Sequence, residues 1–118
     1  DWIPRSLIIL SDKPDKTFEP FDRYAQQESS KGKTIHELLD SFEGLRMENL
    51  RILAGLDLSD ENLSKTGIHP EFGTVTLRQL LSTWVVHDQS HIYQIARILG
   101  KQLGEEAGPW SRYIRMIQ

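Results

Sequence analysis

Two histidines, His87 and His91, lie four residues apart in the strongest helical pattern of the chain, TWVVHDQSHIYQIARIL. On an α-helix, side chains at positions i and i+4 lie one turn apart on the same face. Two imidazoles placed in this way can bind one divalent metal ion from a single helix. The spacing therefore indicates a candidate metal site at His87 and His91.

The apolar pattern of the same segment predicts which face of the helix the two rings occupy. At about 100° per residue, several apolar side chains fall within roughly 40° of Trp84: Leu77, Leu80, Ile95 and Ile98. His91 falls inside this arc, about 20° from Trp84, and His87 lies at its edge, about 60° away. We therefore expect both rings to face a protein interior, where an unpaired polar group is costly.

A tight site needs a third protein ligand, because a metal ion bound by two imidazoles keeps open coordination positions. The chain has no cysteine, so this ligand should be another histidine or a carboxylate. His36 lies near the start of its predicted helix, and His69 precedes a proline, where a turn residue is the plainer interpretation. Asp88 should also face inward, where it either orients an imidazole or hydrogen-bonds a neighbouring helix. The alternative is that both histidines of the pair are structural core residues.

Several other kinds of catalytic site lack their motifs in this chain. The residues between the two histidines are Asp-Gln-Ser, so the general-base Glu of an HExxH zinc protease is absent. No serine is flanked by the glycines of a nucleophile elbow, and no glycine-rich phosphate-binding loop occurs. Metal binding is thus the chemistry that the residue types favour.

Length and composition predict one soluble domain. The chain has 118 residues, a length that is enough for one domain with a single core. Its residues are 38% hydrophobic and 26% charged, as in a soluble globular protein. The net charge is −3, and no stripe of lysine and arginine predicts a nucleic-acid partner. The apolar runs are too short to span a bilayer, and no signal peptide is visible. With the absence of cysteine, these features favour a cytoplasmic protein that has neither a nucleic-acid nor a membrane partner.

Helical periodicity and capping residues predict two helices in the first half of the chain. A short helix is expected over residues 2–10, and a second helix starts at the capping box Thr34-Ile35-His36-Glu37 and continues to about Leu56. Three aromatic residues between these helices are expected to pin a loop onto the core, with a surface loop as the alternative: Phe18, Phe21 and Tyr24.

The second half of the chain is predicted to hold the longest helix. Residues 57–73 are expected to be a connector, because they are rich in Ser, Asp, Asn and Gly. The third helix begins near Thr74 or Thr76, where Thr76-Leu77-Arg78-Gln79 is another capping-box candidate, and runs to about Leu99. A last short helix is expected from Trp110 to Ile117. No period-2 pattern indicates a strand, so the sequence predicts an all-α fold.

Residues 69–110, HPEFGTVTLRQLLSTWVVHDQSHIYQIARILGKQLGEEAGPW, resemble the DinB-like (damage-inducible) superfamily of metal-binding four-helix bundles. The most specific part is the run T-L-R-Q-L-L-x-x-W-x-x-H-D-x-x-H-x-x-Q-I between Thr76 and Ile95, and the opening DWIPR also fits. The resemblance implies an up-down helical bundle with a short C-terminal helix. It also implies that three histidines hold Zn or Ni, and two of these map onto His87 and His91.

The third histidine of that family lies on a helix that would precede Asp1. The resemblance therefore implies one DinB-like domain over residues 1–118 that lacks the first helix of the family. It also implies a metal ion that these residues coordinate incompletely. A bundle without one helix exposes an apolar groove, so we expect a further segment or a second copy, as a homodimer, to cover it.

Two functions of different classes follow from the resemblance. Some members of the superfamily use the metal to activate a thiol, which implies a metal-dependent hydrolase or thiol transferase with a small-molecule or thiol substrate. A bound metal ion lowers the pKa of a thiol or water and so supplies a nucleophile at neutral pH. The alternative is a non-catalytic helical module, in which the His pair is structural or vestigial and the groove serves dimerisation.

Overall fold

The structure, a computed structural model that describes residues 1–115, is mostly helical. Its α-helices are α1 (Trp2–Leu10), α2 (Ala25–Ser30), α3 (Ile35–Gly55), α4 (Asp60–Ser64) and α5 (Leu77–Gln102). Strands β1 (Thr66–His69) and β2 (Gly73–Thr76) form an antiparallel pair, and a 3₁₀ helix covers Gly108–Tyr113. The chain divides into two compact units, Asp1–Leu80 and Leu81–Gln118.

The predicted starts of the two long helices are confirmed by their capping contacts. At α3, the Thr34 N–H donates to Oε2 of Glu37 at 2.7 Å, and the Glu37 N–H donates to Oγ1 of Thr34 at 3.3 Å. At α5, Thr76 and Gln79 make the same reciprocal pair at 2.8 and 3.1 Å. Each pair satisfies backbone donors that a helix start leaves without partners. The predicted short helix over residues 2–10 is confirmed as α1.

The prediction of an all-α chain is wrong, because the expected connector over residues 57–73 contains α4 and β1. The strands pair in a register that runs from Thr66 opposite Thr76 to His69 opposite Gly73. Gly73 has a φ of 70°, a left-handed backbone that glycine adopts at little cost. Strands of four residues offer too few positions for a period-2 pattern to stand out from a loop.

The segment that follows α1 packs on the edge of β1. The Phe18 N–H donates to the Ile68 carbonyl at 2.9 Å, and the Ile68 N–H donates to the Lys16 carbonyl at 3.0 Å. Phe18 is 1% exposed, which confirms that it pins this segment to the core. The same prediction is wrong for Phe21 and Tyr24, which are 58% and 73% exposed.

The core of the first unit lies between α1, the Phe18 segment and the start of α5. Its buried apolar side chains are Ile3, Ile9, Phe18, Leu77 and Leu80. Arg5 is also buried, and its guanidinium group has three partners. It pairs with the Asp1 carboxylate at 3.3 Å, donates to the Glu19 carbonyl at 3.2 Å and lies 5.2 Å from the Phe18 ring centre. Arg5 therefore ties α1 to the segment that carries Phe18.

The second unit holds most of α5 and the 3₁₀ helix. Trp84 is buried, at 5% exposure. The helix predicted from Trp110 to Ile117 corresponds to the 3₁₀ helix, and its last two positions lie outside the described residues. Within residues 1–115, no helix combines the length and the apolar character that crossing a bilayer requires.

Candidate metal centre

Helix α5 positions the two candidate ligands. Its start is set by the Thr76–Gln79 pair, and it continues without a break to Gln102. Both histidines lie near the middle of its length, away from the fraying ends of a helix. Their relative placement therefore depends on regular helix geometry rather than on a loop.

The two imidazole rings converge on one point beside the helix. Nε2 of His91 lies 3.2 Å from Nε2 of His87. The ring centres are 4.4 Å apart, with the planes at 79° to each other. The other nitrogen of His91, Nδ1, lies 3.0 Å from Oε1 of Gln94, one turn further along. Both imidazoles thus direct the same type of nitrogen to a shared position.

This separation fits a metal ion. Zinc binds imidazole nitrogen at about 2.0–2.1 Å in tetrahedral sites, which places two such nitrogens about 3.3–3.4 Å apart. The 3.2 Å between the two Nε2 atoms is within about 0.2 Å of that distance. Two neutral imidazoles are also a suitable donor set for Zn or Ni. The pair can therefore supply two ligands with little change in the side chains.

The expectation that both rings face a protein interior is wrong, because His87 and His91 are exposed. The apolar arc is buried at its start, where Trp84 is 5% exposed, but Ile95 and Ile98 further along are 59% and 60% exposed. The periodicity correctly identifies which side chains share a face. It does not establish that another element covers that face, and residues 1–115 leave the later part open.

The structure does not bring a third ligand to the pair. Among the described residues, no group of three His, Asp or Glu side chains is arranged to hold a metal ion. His36 is exposed at the start of α3. His69 is the last residue of β1, and its Nδ1 accepts hydrogen bonds from the N–H groups of Glu71 and Phe72 in the hairpin turn at 3.1 and 3.3 Å. Asp88 is half-buried.

Gln94 is a residue that the sequence reasoning did not assign to the site. Its spacing from His91 is i+3, which places two side chains next to each other on a helix. An amide three residues after a candidate histidine ligand was therefore a usable signal for a hydrogen-bond partner.

The fold and the site together define a mostly helical protein in which α5, the longest described helix, carries a candidate metal site of two convergent imidazoles. A sequence model of the DinB superfamily matches residues 2–95 of the chain. The match covers more than half of the chain and includes both histidines and Gln94, so the chain belongs to the DinB superfamily. No curated protein sequence gives a significant match.

Proposed function

We propose that the chain binds a divalent metal ion, Zn or Ni, through Nε2 of His87 and Nε2 of His91. The observation that carries this proposal is the 3.2 Å separation of the two atoms. Membership of the DinB superfamily supports it, because the matched region contains the pair. The exposure of both rings leaves room for water or a substrate atom at the remaining coordination positions.

We further propose that the site belongs to a metal-dependent hydrolase or a thiol transferase that acts on a small-molecule or thiol substrate. The metal would act as a Lewis acid that lowers the pKa of a bound thiol or water. His87 and His91 would hold the ion while their neutral rings leave its positive charge uncompensated. That charge is what favours a thiolate or hydroxide over its protonated form.

Metal analysis of the purified chain tests the site. The chain is loaded with Zn or Ni, dialysed, and assayed for bound metal by mass spectrometry, together with H87A, H91A and the double variant. Removing either ligand should weaken binding by more than the 10–100-fold that is typical of an outer-shell change. H36A is the matched control, since His36 is exposed on a different helix, and it should bind as the wild type does.

The proposal is wrong if the wild-type chain holds no more metal than the H87A/H91A double variant. It is also wrong if H36A lowers metal binding as much as H87A does, because binding would then be distributed over surface histidines. An activity assay with thiol substrates is informative only after the metal stoichiometry is known.

A second candidate function is a non-catalytic helical module that dimerises through its apolar faces. The observation that favours it is the exposure of apolar side chains along α5, where Ile92, Ile95 and Ile98 are each about 60% exposed. Contiguous apolar surface of this kind is typical of association sites. In this case the contact between the two rings is a structural hydrogen bond rather than a ligand pair.

Sedimentation equilibrium of the wild type and of I95E separates the two candidates. A module of this kind should be a dimer whose association weakens in I95E, with no dependence on added metal. Stoichiometric metal binding by a chain that stays monomeric would instead favour the metal site.

A further inference from the structure

Gln94 contacts the candidate ligand His91 on the side away from the metal position. Its Oε1 atom lies 3.0 Å from Nδ1 of His91, while Nε2 of the same ring faces Nε2 of His87 at 3.2 Å. His91 thus has one partner at each ring nitrogen, and the two partners together determine where its proton resides.

A neutral imidazole carries one proton, on either Nδ1 or Nε2. The carbonyl oxygen of Gln94 can only accept a hydrogen bond, so its contact requires the proton of His91 to be on Nδ1. The lone pair of His91 is then on Nε2 and points to the shared position between the rings. The 3.2 Å contact in turn requires Nε2–H of His87 to be the donor.

We propose that Gln94 is a positioning residue that holds His91 as the Nδ1–H tautomer and so presents its Nε2 lone pair to a metal ion. The consequence for the metal rests on the proposed function of the His pair. The two histidines then differ: His91 already has the tautomer of a ligand, whereas His87 must move its proton from Nε2 to Nδ1 before it can bind. Outer-shell partners of this kind typically contribute about 10–100-fold to metal affinity.

Three variants distinguish this role from a merely structural one. Q94M keeps a side chain of similar length but has no strong acceptor. Q94E supplies a carboxylate that accepts and cannot donate, so it should replace the glutamine oxygen. Q89M is the matched control, because Gln89 is an exposed glutamine on the same helix, about 160° around the helix axis from His91.

The first measurement is the tautomer of His91 in the metal-free protein, from the ¹⁵N chemical shifts of its ring at a pH where imidazoles are neutral. The wild type, Q94E and Q89M should show a protonated Nδ1 and an unprotonated Nε2. In Q94M, this preference should be lost. A protonated Nε2 in the wild type would overturn the proposal, because it would mean that the amide group of Gln94 donates to Nδ1.

The second measurement is the Zn dissociation constant, determined by competition with a chromophoric chelator. Q94M should bind Zn about 10–100-fold more weakly than the wild type, while Q94E and Q89M should not be weakened. Equal affinities for the wild type and Q94M would overturn the role of Gln94 although the metal site itself stands. If the wild type binds no Zn, the metal site fails, and the ¹⁵N shifts alone then decide whether Gln94 sets the tautomer.

Discussion

Replacing Gly67 with alanine tests the packing between β1 and the Phe18 segment. A Cβ atom at position 67 would lie 2.7 Å and 2.8 Å from Cε1 and Cζ of Phe18 and 2.9 Å from Cγ1 of Ile9. Phe18 is 1% exposed and Ile9 is fully buried, so neither side chain can move out into solvent. Overpacking of a filled core costs about 1–3 kcal/mol, and we expect G67A to lose that much stability.

Urea denaturation followed by far-UV circular dichroism measures this loss. Gly44→Ala is the matched control, because Gly44 lies within α3 and a Cβ there would meet no atom within 4 Å. The same substitution should therefore stabilise the protein at position 44, by about 0.5–1 kcal/mol, since alanine is the better helix residue. A G67A protein that is as stable as the wild type would refute the close approach of Phe18 to the backbone of β1.

Two further predictions concern exposed polar contacts. Hydrogen bonds from the Thr34 N–H and hydroxyl lower the pKa of Glu37 in the folded protein below its ordinary value of 4.5. The ionised carboxylate therefore stabilises the fold at pH values above 4.5, and this stabilisation is lost as the pH falls through the lowered pKa of the folded state. The urea midpoint of the wild type should therefore fall toward that of E37Q as the pH drops below 4.5, and a constant difference would contradict this. The Arg78–Asp60 ion pair is short at 2.7 Å but exposed, so a double-mutant cycle with R78M and D60N should give a coupling energy below about 1 kcal/mol. A coupling energy well above that value would show that the pair is shielded from solvent.

The helices could be predicted because their signals are local. The capping box at Thr34 and the Thr76–Gln79 pair each involve residues three positions apart, and both form as the sequence indicates. The β-hairpin could not be predicted in this way. Its two strands are held by pairing with each other and by the segment around Phe18, some 50 residues earlier in the chain. Contacts between distant segments leave little trace in a short stretch of sequence.

The aromatic residues of the first loop illustrate the same limit. Phe18, Phe21 and Tyr24 look equivalent in the sequence, yet Phe18 alone among the three is buried. What distinguishes Phe18 is Gly67, because the missing side chain there leaves the space that the Phe18 ring fills. The determinant of burial is thus a glycine in a different segment.

In the candidate site, the meeting of the two rings could be predicted from the sequence, but their exposure could not. The spacing of His87 and His91 predicts that their rings meet, and the structure brings the two Nε2 atoms to 3.2 Å. The inward direction of the rings could not follow from spacing. A helical arc is buried only where other residues lie against it, and the sequence of the helix does not show how far that cover extends, as the exposure of Ile95 and Ile98 illustrates.

Because the pair and Gln94 lie within eight consecutive residues of one helix, helix geometry places their backbones about one turn apart, and the side-chain rotamers bring the contacting atoms to 3.0 and 3.2 Å. If the proposed site is correct, the two imidazoles alone form a weak chelate, since open positions remain on the metal. Any further ligand, whether water, a substrate sulfur or a protein side chain, would then add affinity without rearranging the pair. The metal affinity of the isolated chain should accordingly measure the two-histidine contribution alone.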